Sequence, residues 1–465
     1  MVEVVTAALE DQLVDPLSFK LTKTASYITK RRSCTFHASG SNIYHPRTGV
    51  KLIKILISGH DWLDPGTVRL MFDLKNDHPD RRLYPVGGAH GFFNRLRILA
   101  QGQVIEDIND YNRVHEMFQV FSASESRNND YASGFGSNWQ AHATSKELLT
   151  NTKGLVSISG SQTMTGMLKL NAGIFQIKKY LPLQFIPLTI ELSLVDDPLE
   201  PIIHGGDSAT ANAFISTNSS DIWSILNVQA KCDLVTLDNS YEEDFFKSLS
   251  EGTPLYINYN TLISQIQTIS GNSNLNVNVS RSLTRLKSVF VSLIKNLTSD
   301  ADAGAGGSLD RRNKDHVGSK VWNEFFSPMY GEFDRTPKVH TLAGEFEFQL
   351  QIGSFLFPEY RIRSHAEAFY NLQKTLGIRS NSMHNFNVSG DEYRRDKLIL
   401  GIDTEKILEA GFSGLSTRSG DLMTVLFKYN SDGGAGTPRL ADRMHIVLHS
   451  DQILEVHSHG VRVLD

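Results

Sequence analysis

From Thr24 onward the chain is a succession of short runs in which apolar and polar residues alternate: SCTFHA, VKLIKILISG, TVRLMFDL, FFNRLRILAQ and QVIEDI. Turn signals such as His45-Pro46, Asp64-Pro65-Gly66 and Gly87-Gly88 separate them. Period-two alternation punctuated in this way predicts half-buried strands. Their spacing is that of a sandwich or barrel, not of alternating strand and helix units. In YLPLQFIPLTIELSLVDDPLEP (Tyr180 to Pro201), Pro182 and Pro187 keep the segment out of a sheet interior until Leu188, after which LTIELSLV alternates. RMHIVLHSDQILEVHSHGVRVL reads as two or three further strands.

The pattern is then repeated. RLRILAQGQVIEDINDYNRVHEMFQVF around Gly102 aligns without gaps on EFQLQIGSFLFPEYRIRSHAEAFYNLQ around Gly353. Val104 falls on Phe355, Ile105 on Leu356, Glu116 on Glu367 and Phe118 on Phe369. Each copy predicts a strand, a tight turn, a second short strand and a helix. Two weaker echoes flank this one in the same order: Val68 to Asn76 with Lys287 to Asn296, and Val228 to Leu237 with Ile446 to Val456. Three matches in one order predict a duplicated β domain. The expected division is an arm over residues 1–20, a first domain over 21–240 and a second over 241–465, with the joint in Asn239 to Gly252.

Local signals sharpen the helices. Ser364 followed by Glu367 is a capping box, Phe369, Leu372 and Leu376 share one face, and Gly377 stands where a glycine ends a helix. In the first copy Asp110 is the expected N-cap, with Tyr111, Val114 and Phe118 as the buried stripe. Phe118 and Phe369 are both expected to be mostly buried. The arm carries Val4, Val5, Ala8, Leu9 and Leu13 before Pro16 and has nothing local to cover them, so it is expected to dock on a neighbouring subunit. Phe121 to Ile177 is polar and rich in Gly, Ser and Asn, the composition of a functional surface excursion. Asp300 to Gly307 and Ser431 to Gly436 read as mobile turns.

Composition narrows the class. The 465 residues are 40% hydrophobic and 21% charged, enough apolar material for a core in each half. A net charge of −5 without a basic tail argues against neutralising packaged nucleic acid. The two cysteines, Cys34 and Cys232, read as free thiols and not as a disulfide framework. The acidic N-terminus does not read as a secretory leader, so the sequons at Asn218, Asn278, Asn296 and Asn387 are expected to be unused. No apolar run is long enough to span a bilayer.

Signs of catalysis are sparse. The chain contains no nucleophile elbow, phosphate loop, H-E-x-x-H or C-x-x-C pairing. Asp196 and Asp197 are adjacent, so on a strand they point to opposite faces and cannot act as an acid/base pair. The weak metal candidates are His457 and His459, two apart and expected to share a strand face, with His445 and His449 nearby. They lack a convergent third and fourth ligand, and Arg443 and Arg462 add positive charge, so no metal, cofactor or catalytic site is assigned.

Together, YLPLQFIPLTIELSLVDDPLEP, DYNRVHEMF, IRSHAEAFYNLQKTLG and DQILEVHSHGVRVL resemble the double jelly-roll major capsid proteins of eukaryotic double-stranded DNA viruses, most of all those of polinton-like viruses. The resemblance runs from about Thr24 to the end. It implies an all-β fold of two tandem eight-stranded jelly rolls with short helices in loops. It also implies pseudo-hexameric homotrimeric capsomers that tile an icosahedral shell, with neighbouring capsomers, penton and minor capsid proteins as partners. The expected location is the virion, with no sequence-specific nucleic-acid binding and no membrane span. Two other classes stay open. A jelly-roll attachment or glycan-binding protein of a virion would cluster Trp or Tyr in one loop set, whereas Trp62, Trp139, Trp223 and Trp322 are scattered. A cupin-type enzyme would need two His and a carboxylate converging in one barrel.

Overall fold

The computed structural model describes residues 28–47, 49–85, 88–120, 133–135, 156–202, 220–269 and 273–294. It further describes 325–328, 346–378, 388, 390–395, 397–406, 413–418, 422–429 and 441–464. The N-terminal arm, the two glycine-rich turns, most of the excursion after Phe121, Trp139, Trp322 and three of the four sequons lie outside the described residues.

The first set of strands is β1 (Ile28–Ser39), β2 (Ile43–Tyr44), β3 (Leu52–Ile57), β4 (Trp62–Asn76) and β5 (Phe93–Ala100). It continues with β6 (Gln103–Asn109), β7 (Thr163–Lys169), β8 (Leu181–Pro182), β9 (Leu188–Leu194) and β10 (Trp223–Leu237). One sheet runs β1-β10-β4-β7 and the other β3-β9-β5-β6, and they join where Ala38 and Ser39 of β1 pair with Ile55 and Lys54 of β3. The second set is β11 (Leu255–Thr268), β12 (Asn274–Val279), β13 (Leu286–Ile294), β14 (Phe346–Ile352) and β15 (Phe355–Ile362). It ends with β16 (Ile399–Asp403), β17 (Met423–Tyr429), β18 (Arg443–His457) and β19 (Gly460–Leu464). Its sheets run β11-β18-β13-β16 and β12-β17-β14-β15. Replacing each main strand of the first set by its counterpart reproduces these orders position for position. Each set is a jelly roll of two four-stranded antiparallel sheets, and the chain is a double jelly roll.

All three sequence echoes fall on matched strands: β4 with β13, the β5–β6 hairpin with β14–β15, and β10 with β18. Inside the hairpins the glycines are one step out of register. Ala100 pairs with Gln103 around Gln101-Gly102, where both turn residues have positive φ (47° and 84°). Ile352 pairs with Phe355 around Gly353-Ser354, where Gly353 carries the positive φ of 59°. The two hairpins therefore use different two-residue turns for the same reversal.

The helices follow the hairpins. We label them α1 (Tyr111–Gln119), α2 (Asn239–Ser250), α3 (His365–Thr375) and α4 (Gly390–Arg395). In α3 the Ser364 hydroxyl accepts from Glu367 N at 3.1 Å. The Glu367 carboxylate reaches one residue further back than a capping box requires and accepts from Arg363 N at 2.8 Å. At the other end Gly377, with φ of 77°, donates to Lys374 O, while Ile378 donates to Gln373 O, a Schellman closure. Asp110 occupies the N-cap position of α1 in the left-handed region and makes no side-chain capping bond, which corrects its expected role. The joint between the rolls, an acidic stretch in sequence, is the helix α2 and ends before Gly252.

The two matched phenylalanines are half-buried, not mostly buried. Strand β15 is longer than β6, so the gap-free alignment has slipped by the time it reaches the helices. The buried face of α3 is His365, Ala368, Asn371 and Leu372, and Phe369 instead packs edge-on against Tyr393 with centroids 5.0 Å apart. Phe118 lies at the end of α1 against Phe290 of the second roll, 5.3 Å away. Most buried apolar residues of the two rolls form one continuous core, beside a small separate cluster of Trp62, Val235 and Leu237. Because Leu372 is fully buried, Leu372→Ala should cost about 2–5 kcal/mol, and Phe369→Ala distinctly less. Urea titration of both variants checks this; equal losses would mean that the helix face is misassigned.

Candidate functional site at the junction of the two rolls

Helix α1 has the stripe Tyr111, Val114, Phe118, but it is buried nearly all round: Asn112, Arg113, His115, Glu116 and Met117 are buried as well. The reason is its position. One face lies on the first roll and the other is covered by the second. The Arg113 guanidinium donates to Ser292 Oγ at 3.3 Å and to the Leu293 carbonyl at 3.2 Å, both on β13. It also stands 4.7 Å over the ring of Phe325. Asn112 donates to the Glu200 carboxylate at 3.2 Å. Buried polar groups cost stability unless partnered, and here the partners come from both rolls.

Behind the helix, His90 Nε2 is 3.1 Å from the Glu116 carboxylate, and the His90 and His115 rings stack with centroids 4.1 Å apart. His115 Nε2 faces the Lys169 carbonyl at 3.2 Å, so that nitrogen carries the hydrogen in the neutral ring. Burial, then the neighbouring His90, holds the protonation of His115 well below the usual histidine range. A small cavity of about 110 Å³, bordered by Arg69, Gln119 and Phe135, adjoins the pair.

A second contact is made by strand edges. Tyr259 of β11 places its hydroxyl 2.9 Å from the Ile105 carbonyl of β6 and 2.7 Å from the Gln452 side chain of β18. Glu106 of β6 is buried, and its carboxyl accepts from Gly173 N at 3.1 Å and Ile174 N at 2.8 Å. Burial outweighs these two donors and pushes its pKa up to about 8. At Gly173 the second roll presses in so closely that a Cβ would lie 1.4 Å from the Asn260 carbonyl oxygen. Lys179 donates to the Tyr256 carbonyl at 3.3 Å. Helix α2 closes the foot of the junction: Trp62 stacks obliquely on Phe245 at 5.0 Å and donates to Glu242 at 3.4 Å. Beside it lies an apolar cleft of about 470 Å³ lined in part by Ile28, Tyr180, Leu255 and Tyr256.

The sequence-derived metal candidates do not come together. His457 ends β18 and lies 3.7 Å from the Glu455 carboxylate, while His459 sits in the turn to β19, so the two do not share a strand face. His445 is buried against Ser264 Oγ at 2.8 Å, and His449 approaches Ser288 Oγ at 3.3 Å. Among the described residues no group of three His, Cys, Asp or Glu is placed to hold a metal ion. Asp196 and Asp197 lie in the turn after β9, where Asp197 accepts from Leu199 N. Cys34 and Cys232 are free and directly opposite one another on β1 and β10. Sequence reading missed Arg113, Glu106, His90, His115 and Glu116. Nothing in DYNRVHEMF signals that its polar side is covered, because the cover comes from strands far along the chain.

No family model matches the chain, and no curated protein does. Solved structures do. The chain is similar to the crystal structure of PBCV-1 VP54 fitted into a reconstruction of the virophage Sputnik, with a TM-score of 0.59, 11% identity, and 96% of this chain and 99% of that one covered. The Faustovirus major capsid protein gives a TM-score of 0.59 at 9% identity, covering 97% of this chain and 94% of that one. The Sputnik virophage structure from cryo-electron microscopy gives 0.58 at 10% identity, covering 97% and 92%. These neighbours share the double jelly roll along essentially their whole length.

Two outcomes follow. Gly173→Ala should force β11 away from the first roll and cost on the order of 3 kcal/mol, with a lowered thermal midpoint; an unchanged midpoint would show that the approach is not needed. The second concerns acid. His115 and His445 are held well below the usual range, and His365 and His449 at about 4, in each case first by burial. The unfolded chain therefore takes up protons first as pH falls, so stability is full above about 6.5 and is lost from there toward about 4, by ~1.4 kcal/mol per pH unit per group. Glu106 works in the opposite sense between about 4.5 and 8, as a single group. The urea midpoint should drop between pH 6.5 and 4.5, and His449→Gln should make that drop shallower; a flat profile would contradict the burial of these rings.

Proposed function

We propose that this chain is the major capsid protein of a eukaryotic double-stranded DNA virus. On this reading it is a structural subunit and not an enzyme. It forms homotrimeric capsomers of hexagonal outline, meets neighbouring capsomers, penton and minor capsid proteins, and resides in the icosahedral shell of the virion. The observation that carries the reading is the double jelly roll itself: two rolls of identical strand order on one continuous core, with nearly the whole chain similar to shell proteins. Six rolls from three copies give a three-fold object a six-fold outline, which tiles a surface as a hexagon. The net charge of −5 also suits a shell held together by contacts between protein faces and not by a phosphate backbone.

The division into an arm over 1–20 and rolls over 21–240 and 241–465 is part of the proposal. So is the absence of a membrane span; among the described residues no helix is long and apolar enough to cross a bilayer. A glycan-binding role draws less support. Trp62 and Trp223 are buried, with the Trp223 indole donating to the Pro198 carbonyl at 2.8 Å, so neither is free to stack on a sugar.

Mass in solution combined with negative-stain images tests the reading. The expected species is a hexagonal particle of three 51.9 kDa chains that persists as salt is raised from low to moderate concentration. A monomer at micromolar concentration, unable to associate, would refute it.

A further inference from the structure

Cys34 and Cys232 stand side by side where the first roll is closed. Strand β1 is the first strand of that roll along the chain and β10 is its last. Cys34 is the register partner of Cys232, with Ser33 opposite Asp233 and Thr35 opposite Lys231 on either side. Both side chains face inward. Cys232 is a buried member of the core, and Cys34 packs against that core while half-buried, both as free thiols. Directly opposed residues on antiparallel strands have Cα atoms, and Cβ atoms, about 4.5–5.5 Å apart. A disulfide needs Cα atoms about 4.4–6.8 Å apart and Cβ atoms about 3.5–4.5 Å apart. The backbone spacing already fits, and the side chains need to draw together by only about 1 Å.

A bond at this place would matter because β1 is weakly held. Among the described residues it pairs with β3 only at Ala38 and Ser39, so from Ile28 to His37 its neighbour in the sheet is β10 alone. It buries no residue completely. On its outer face Arg31 reaches Asp64 and Asp233, and Arg32 reaches Asp61, with the arginine side chains 47% and 50% exposed. Exposed ion pairs of this kind contribute little and are screened by salt.

We propose that Cys34 and Cys232 are an oxidation site, at which a hydroperoxide closes a disulfide across β1 and β10 and staples the first roll shut. Burial, then the neighbouring Cys34, pushes the Cys232 thiol up to about 12, so the half-buried Cys34 reacts first. Its thiolate attacks one peroxide oxygen and the O–O bond breaks. The departing hydroxide takes up the proton that Cys34 gave up and leaves as water, and Cys34 becomes a sulfenic acid. The Cys232 sulfur then attacks the Cys34 sulfur. The S–S bond forms, the S–O bond breaks, and hydroxide leaves with the Cys232 proton as a second water. Two electrons pass from the thiols to the peroxide. The loop closed in this way takes in β2 through β9, and long loops are those a cross-link constrains most. The inference rests on the capsid reading only for when oxidation occurs, as the particle passes from the reducing cell interior to the oxidising exterior.

The test uses the full-length chain, purified reduced, treated with dilute hydrogen peroxide, quenched, unfolded and alkylated with N-ethylmaleimide. The expected product takes up no alkylating group, is two hydrogens lighter than the reduced chain, and runs as a single chain on a non-reducing gel. Its thermal midpoint should rise by about 5–10 °C, and dithiothreitol should return it to the reduced value. Cys34→Ser and Cys232→Ser should each gain nothing in midpoint, and dimedone should label Cys34 in the Cys232→Ser chain. Two thiols still open to alkylation, or a bond joining two chains, would overturn the proposal whatever the variants do. A bond that forms without raising the midpoint, or an equal rise in the single variants, would overturn it as well. A chain that forms the bond but stays monomeric would sink the capsid reading and leave this one standing.

Discussion

Among the described residues every sheet ends in a strand with no neighbouring strand on its outer side, and the architecture is organised by how those edges are covered. Exposed edges invite pairing with other chains, so folded proteins cover them, shorten them or charge them. Here the join of Ala38 and Ser39 to Ile55 and Lys54 wraps the two sheets of the first roll around one end of β1. The β6 edge is covered by the second roll, and that cover sets where the second roll must stand. Tandem rolls without it would be two sandwiches on a tether; with it they are one body.

The polar character of the junction has a physical sense. Apolar faces attract over a broad range of orientations, because the effect scales with area and has no direction. Hydrogen bonds are directional. Arg113 reaching Ser292 and Leu293, Tyr259 reaching Ile105, and the abutment of Gly173 on Asn260 allow one mutual orientation of the rolls. The surrounding contacts, Phe118 on Phe290 and the Trp62–Phe245 pair, supply area around these fixed points. Most buried groups of the junction are thus specified twice, by packing and by partner.

Much of this was legible in the sequence, for reasons that can be located. Strands announce themselves when one face is wet, so β1, β3, β4, β5 and β6 stood out by alternation. The helix α3 was legible end to end because its caps are local chemistry: Ser364, Glu367 and Gly377 act within a few residues of themselves. The duplication was readable because matched strands face similar surroundings. What stayed hidden was everything decided by contacts distant in sequence. Asp110 looks like an N-cap but adopts a left-handed backbone conformation instead. Phe118 and Phe369 match by alignment yet lie at different places on their helices. His457 and His459 share a strand only if the strand continues, and it turns at Ser458. Helix α2 was read as an acidic stretch, because its aromatic residues find their partners on Trp62 and Phe185.

The pairing of β1 with β10 also governs how the chain can fold over time. Their hydrogen bonds join residues such as Thr29 and Thr236, separated by 207 positions, so the first described strand has its partner only when the first roll is nearly complete. Helix α1 waits nearly as long, since Arg113 meets Ser292 across 179 positions. Contacts of such long range slow folding and leave apolar strands unpaired meanwhile. On a ribosome, β1 emerges before β10 and must stay unaggregated until β10 is made. The polar stretch Thr29 to Ser33 at its start, with Lys30, Arg31 and Arg32, keeps that waiting strand soluble in the interval.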